Sequence, residues 1–284
     1  MSLLKKLVIA ASVLLVTGII GSLVTLPSKM AAEDVTEVKN LPEGPFSNIK
    51  VHANNAKIEL LPVSNHSATA ELSGMDEKKY RFHADVKDDT LVIEVKDKRK
   101  LLFEMDFMSD RSIKVLVPEK DYRLIELKSD NGRIETKSMT AKELTAETNN
   151  GKVKMDDVEA LTVRAESDNG RIEARNIRSS SFQARTNNGR IELEDVEGTI
   201  RAGSNNGRVS LASEEIDRDI ELTTDNGKIE IYTKEEPKNA AFHVSTGNGK
   251  IEIFDESYRG SVLHGKGDHT ITLNSHNGDI TVSR

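Results

Sequence analysis

This 284-residue chain has no cysteine and no tryptophan, few aromatics (4%) and only six prolines. Without cysteine there is no disulfide framework, no thiolate metal site and no lipid-modified cysteine. So few aromatics argue against a broad globular core and suit a thin one built from aliphatic side chains. Positive charge is also short. A formal net charge of −7 argues against nucleic acid as a partner, since phosphate contacts need a basic surface.

What the chain does have is a repeat. An Asn-Gly dipeptide occurs eight times, with glycines at Gly132, Gly151, Gly170, Gly189, Gly207, Gly227, Gly249 and Gly278. The first gaps are 19 residues and the later ones 18, 20, 22 and 29. Three residues before each glycine stands Ser or Thr, from Ser129 to Ser275. Five before is a small or aliphatic residue, and seven before a large apolar one such as Ile125 or Phe182. Two after comes a β-branched residue, from Ile134 to Ile280. Alternation of period two on both sides of a turn reads as strand–turn–strand, and a fixed period of this size marks a repeat architecture. Asn and Gly both tolerate positive φ, which suits them to the turn.

Two arrangements could use this pattern. An antiparallel meander would close each Asn-Gly as a two-residue hairpin. A β-solenoid would instead stack equivalent positions about 4.8 Å apart, giving an asparagine ladder and a hydroxyl ladder. Only the solenoid explains why one unit repeats the next so closely. The expected fold is therefore all-β, a single-stranded β-solenoid (parallel β-helix) of about 19 residues per coil. Its third corner lies seven residues after glycine (Met139, Val158, Ile177, Val196), with Ile216 and Phe254 as shifted substitutes later. Eight coils would make a rod about 38 Å long, with right-handed winding preferred by the crossover rule.

The N-terminus carries the second signal. After Lys5 and Lys6, residues Leu7 to Leu26 contain no charge, a length of about 30 Å as a helix, which spans a bilayer core. Glu33, Asp34 and Glu37 follow. The positive-inside rule then leaves the N-terminus in the cytoplasm and the remainder outside. A cleaved signal peptide is the alternative, but no clean cleavage site follows the run. Four regions result: 1–29 a signal-anchor transmembrane helix, 30–45 a linker, 46–119 capping coils with hairpin excursions, and 120–284 the solenoid repeats. Within 46–119, Asn54-Asn55-Ala56 reads as a degenerate turn. The far end looks less protected, because Ile280 to Val282 almost ends the chain.

One residue after glycine is basic in seven coils: Arg133, Lys152, Arg171, Arg190, Arg208, Lys228 and Lys250, with Asp279 breaking the run. Stacked, they form a candidate ligand face for an anionic polymer or lipid head groups. Glu135, Glu173, Glu192, Glu230 and Glu252 share that face, and ion pairing between the columns is the simpler account. Asp130, Asp168 and Asp225 fall on scattered coils and read as turn residues rather than a calcium array. His264, His269 and His276 cluster around Asp268, without the spacing of a metal site. No nucleophile elbow, phosphate loop or other catalytic or cofactor-binding constellation is present, so no cofactor is expected.

The motif Ser129-Asp130-Asn131-Gly132-Arg133-Ile134-Glu135, following an anchor, resembles the bacterial "putative adhesin" solenoid family, in particular its LiaG-like members. The resemblance covers the anchor and residues 46–284. It implies a membrane-anchored, extracytoplasmic protein associated with the envelope-stress response, and carries no catalytic residues. The expected function is binding or scaffolding at the cell envelope, with the membrane, an envelope polymer or another membrane protein as partners. The alternative is a polysaccharide-active β-helix enzyme, which would release new sugar ends from envelope glycans.

Overall fold

A computed structural model describes residues 37–75, 79–98 and 111–284. The expected transmembrane helix lies outside the described residues, as does the linker up to residue 36. Among the described residues every regular element is a strand, and no helix is long and apolar enough to cross a membrane. Towards the N-terminus these are β1 Glu37–Asn40, β2 Asn48–Ala53, β3 Lys57–Val63, β4 Thr69–Ser73, β5 Tyr80–Lys87, β6 Thr90–Asp97 and β7 Ser112–Pro118. The middle holds β8 Tyr122–Ser129, β9 Ile134–Thr148, β10 Val153–Ser167, β11 Ile172–Thr186, β12 Ile191–Val196, β13 Thr199–Ser204 and β14 Val209–Ser213. Then follow β15 Ile220–Thr224, β16 Ile229–Thr233, β17 Ala240–Thr246, β18 Ile251–Ile253, β19 Glu256–Tyr258, β20 Ser261–Gly265, β21 His269–Ser275 and β22 Ile280–Ser283.

The Asn-Gly turns join two walls of a parallel stack. Through the middle, register advances by one repeat per rung: Ile134 pairs with Val153, Val153 with Ile172, and Ile172 with Ile191. Strands β9, β10 and β11 run through the third corner. There the residue six after glycine takes a left-handed conformation: Ser138, Asp157, Asn176 and Asp195 all have φ between 51° and 56°. Polar residues reach this region at lower cost than bulky ones, and Ser138 Oγ donates to Asp157 Oδ2 (2.9 Å). The chain bends at that point and turns Met139, Val158, Ile177 and Val196 into the core.

The core is a stack of apolar columns, mostly aliphatic. Ile125, Leu144, Val163, Phe182, Ile200, Ile220, Ile271 and Phe242 form one of them, each at most 2% exposed. Burial of this kind contributes about 25 cal/mol per Å² of apolar surface. It is the main term holding a rung that makes few contacts beyond its neighbours.

Three expectations are corrected. None of the repeat Asn or Gly residues has positive φ. The glycines are required by close approach instead: a Cβ on Gly170 would sit 1.6 Å from the Gly151 carbonyl oxygen, and one on Gly132 1.8 Å from that of Ala56. Second, Glu37–Asn40, inside the segment read as linker, is a strand pairing antiparallel with β4.

The third correction concerns order. At the C-terminus β22 is not exposed, because it pairs with β16 on one side and β18 on the other. Its companion β21 likewise lies between β15 and β17. The chain leaves one slot vacant, builds the rung β17/β18 beyond it, and returns to fill the slot with its last rung. The N-terminus does the same in reverse: β2 lies between β6 and β8, and β3 between β7 and β9. Both outer rungs are covered by antiparallel strands, β5 and β4 at one end, β20 and β19 at the other. Asp88-Asp89 and Phe254-Asp255, all at positive φ, make the tight hairpins β5–β6 and β18–β19, as such turns require.

Candidate functional site

The surface beside the Asn-Gly turns carries the repeat's polar chemistry. Each asparagine amide donates to the asparagine of the neighbouring rung, at 2.6–2.9 Å from Asn150→Asn131 through Asn226→Asn206. The ladder then follows spatial rather than chain order, Asn277→Asn226 (2.9 Å) and Asn248→Asn277 (2.8 Å). At the other end Asn131 donates to Asn55 (2.7 Å) of the degenerate turn. Beneath it runs the hydroxyl ladder. Thr148 Oγ1 donates to the Gly132 carbonyl (3.0 Å) and accepts from the Gly151 N–H (3.1 Å). Ser167 and Thr186 repeat both bonds. These hydroxyls are buried, and pairing them avoids the cost of burying an unsatisfied polar group.

The seven basic residues form one column outside the turns, mostly matched by acids. Arg133 meets Glu135 (3.3 Å), Lys152 meets Glu173 (2.5 Å), Arg171 meets Glu173 (3.2 Å) and Glu192 (3.9 Å), and Arg208 meets Glu230 (3.2 Å). Lys57 of the degenerate turn extends the column and meets Glu135 (2.7 Å). Burial raises the pKa of Glu173, but hydrogen bonds and charge from Lys152 and Arg171 outweigh it and hold the carboxyl below its usual range. Asp279, which breaks the run along the chain, is placed between Lys228 and Lys250. It accepts from the Lys250 backbone N–H (3.1 Å) and pairs with Lys228 Nζ (3.2 Å), and these contacts lower its pKa.

The column therefore follows a rule: a cation reaches the acid three residues past the glycine of the next rung. Lys57, Lys152, Arg171 and Arg208 obey it. Arg133 and Lys228 meet Lys154 and Thr281 at that position (Glu135↔Lys154, Glu230↔Thr281) and pair instead with Glu135 and Asp279; Arg190 meets Ser210 (Glu192↔Ser210). Among the described residues no carboxylate lies within ion-pair distance of Arg190 or of Lys250 Nζ.

The remaining sequence candidates stay apart. Asp130 accepts from Asn54 (2.6 Å) and Asp168 from Asn187 (2.9 Å), both side-chain contacts between rungs. His264 touches Tyr258 (3.2 Å) and His269 lies 3.7 Å from Asp219. His276 lines a polar surface cavity with Asp225, Asn205 and Asn274. Among the described residues no group of three or more His, Asp or Glu is arranged to hold a metal ion.

A groove of about 450 Å³ on the wall following the turns was not singled out from the sequence; Ser210, Ala212, Tyr232 and Ser283 are among its lining residues. Its signal is a lapse in the repeat: the outward positions three and five after glycine are charged or large in neighbouring rungs but small at Ser210 and Ala212.

Comparison with known proteins returns structures of low identity. A crystal structure called a "putative adhesin", from Bacteroides fragilis, is 14% identical, with 89% of this chain and 98% of that chain covered and a TM-score of 0.44. A second "putative adhesin", from Parabacteroides distasonis, is 12% identical (88% and 98% covered, TM-score 0.38). A "putative lipid binding protein" from the same species is 14% identical (87% and 96% covered, TM-score 0.41). No curated protein matches the chain. The family described as Toastrack DUF4097 matches residues 46–283, from just before β2 to the end of β22, and to that family the chain belongs.

Proposed function

We propose that this chain is a membrane-anchored, extracytoplasmic binding or scaffolding protein of the bacterial cell envelope that serves the envelope-stress response without catalysis. One observation carries the reading. Among the described residues, most of the side chains a catalytic reading would draw on, the stacked Asn, Ser, Thr, Arg and Glu, are engaged rung to rung in holding the stack. What they leave is a stiff surface, ordered by repetition, that presents side chains at fixed spacing. The apolar run Leu7–Leu26, with lysines before it and acids after it, supports anchoring with the stack outside the cell. The membrane is one partner; an envelope polymer or another membrane protein is the second.

The test is photo-crosslinking in cells from Arg171, Arg190 and Arg208, with and without antibiotic stress. A discrete adduct or a polymer-like smear is expected, stronger under stress. Absence of any adduct from all three positions would remove this face as the binding surface.

A further inference from the structure

We infer that the groove beside Tyr232 is a saccharide subsite, holding one sugar ring of an envelope glycan against the tyrosine, with an acidic group on the adjoining sugar directed along the wall to Arg190, two rungs and four residues away in register. This rests on the binding reading above and names its ligand class. Tyr232 is 52% exposed. Its neighbours in register are Ala212 on one side and Ser283 on the other, so short side chains leave the ring's faces uncovered. A phenol in that setting offers an apolar face with a polar tip, and the axial C–H face of a pyranose stacks on such a face.

The rim suits a polyol. Glu192, Glu194 and Glu230 line the groove, and each is already paired with an arginine: Arg171 (3.9 Å), Arg175 (3.0 Å) and Arg208 (3.2 Å). Their net charge is cancelled while carboxylate lone pairs remain to accept from sugar hydroxyls. Ser210 Oγ donates to the Ile191 carbonyl (3.3 Å) and keeps acceptor capacity of its own. Arg190 supplies the asymmetry. The acid that the column rule would place on Ser210 is missing, and a carboxylate or phosphate on the ligand fills the same position. A bare inorganic anion would make no use of the ring, and an acyl chain would find a charged rim.

The experiment uses the full chain in lipid nanodiscs, titrated with two soluble probes: a neutral N-acetylglucosamine tetramer and an acidic galacturonate tetramer, read by ligand-observed NMR. Both are expected to bind, the acidic one about tenfold more tightly. Tyr232→Ala weakens both at least about tenfold. Ser210→Glu, which provides Arg190 with an internal acid, removes the preference for the acidic probe. Arg201→Gln, on strand β13 before the turn and outside the groove, changes neither. Unchanged binding by the Tyr232→Ala protein overturns the subsite while the binding reading stands. Failure of both probes on the unaltered chain, with a discrete protein adduct in the crosslinking experiment, also overturns it and makes the partner a protein.

Discussion

The middle of the stack and its two ends are built from the same rung but assembled by opposite rules. From β8 to β16 the order in space is the order in the chain, and one rung supports the next. At the C-terminal end the chain steps past a slot, builds the outermost rung and comes back to fill the gap; at the N-terminal end it lays down the inner rung first, builds the outermost rung on one side of it and then continues on the other, so that β2/β3 and β21/β22 lie inside. The repeat thus specifies how a rung packs on any neighbour, not which neighbour it receives. Order at the ends is set by what lies between rungs, where longer gaps carry the antiparallel strands β4 and β5 or β19 and β20. The functional benefit is physical: terminal coils of a solenoid fray and offer unpaired backbone to other chains, and here both ends are held from two sides and covered.

The largest difference between middle and ends should appear at glycine. Gly170→Ala places a methyl 1.6 Å from the Gly151 carbonyl oxygen, and backbone packed on both sides cannot yield, so a loss above about 4 kcal/mol is expected. Gly260, beside the C-terminal cap, has φ +80° and nothing within 4 Å of an added Cβ; alanine there costs about 1–2 kcal/mol of backbone strain. Urea unfolding midpoints compare the two. Equal losses would mean that the central rungs are not in such close contact.

Next in size is removal of the last strand. Deleting residues 280–284 takes away Ile280 and Val282, both buried, from a slot between β16 and β18. Hydrogen exchange should then lose protection at 229–233 and 251–253 together, on either side of the vacancy. Loss confined to one of these segments would restore a sequential stack with β22 at its end.

The middle was legible in the sequence because its regularity is local: period-two alternation, constant spacing and stacked identical side chains leave few alternatives. The interleaved ends were not, since Ile280 and Val282 have the same alternation whether they cap the stack or fill it. The 29-residue gap before Gly278 was the available clue. Glycine was read as a turn residue suited by its tolerance of positive φ, and the actual reason is close approach; positive φ and a carbonyl 1.6 Å from the Cβ position leave the same residue in the sequence. For the candidate site, column positions were readable, but the lack of an acid facing Arg190 among the described residues was not. Which acid Arg190 faces depends on the next rung's register, and an 18-residue gap with Ser210 in the acid position becomes informative only once rungs are paired.

A smaller effect separates the middle of the asparagine ladder from its end. Asn169→Ala breaks two amide bonds, to Asn150 and from Asn188, and should cost about 1–2 kcal/mol at typical net values for hydrogen bonds. Asn248 makes one such bond, to Asn277, so its alanine variant should lose about half as much. A reversed ranking in thermal unfolding would contradict the ladder order Asn226–Asn277–Asn248.

The least of these effects, and the most specific to the interleaving, is in acid. Glu173 in the middle and Asp279 near the end are both held below their ordinary pKa, the first against its burial by Lys152 and Arg171, the second by the Lys250 N–H and then Lys228. A carboxyl with a depressed folded-state pKa adds stability above its unfolded value, about 4 for these side chains, and that contribution fades as pH falls through the lower folded value. Stability should therefore decline below about pH 4, and Glu173→Gln or Asp279→Asn should each flatten part of that decline while lowering stability at pH 7. The effect at Asp279 is smaller because the group is open to solvent, where screening weakens ion pairs. Its value lies in its origin: both partners reach Asp279 only because the last rung sits between those of Lys228 and Lys250. An NMR titration in which Lys250→Met leaves the Asp279 pKa low but Lys250→Pro raises it would assign the shift to the backbone N–H of the outer rung. A pKa indifferent to both would place β22 elsewhere.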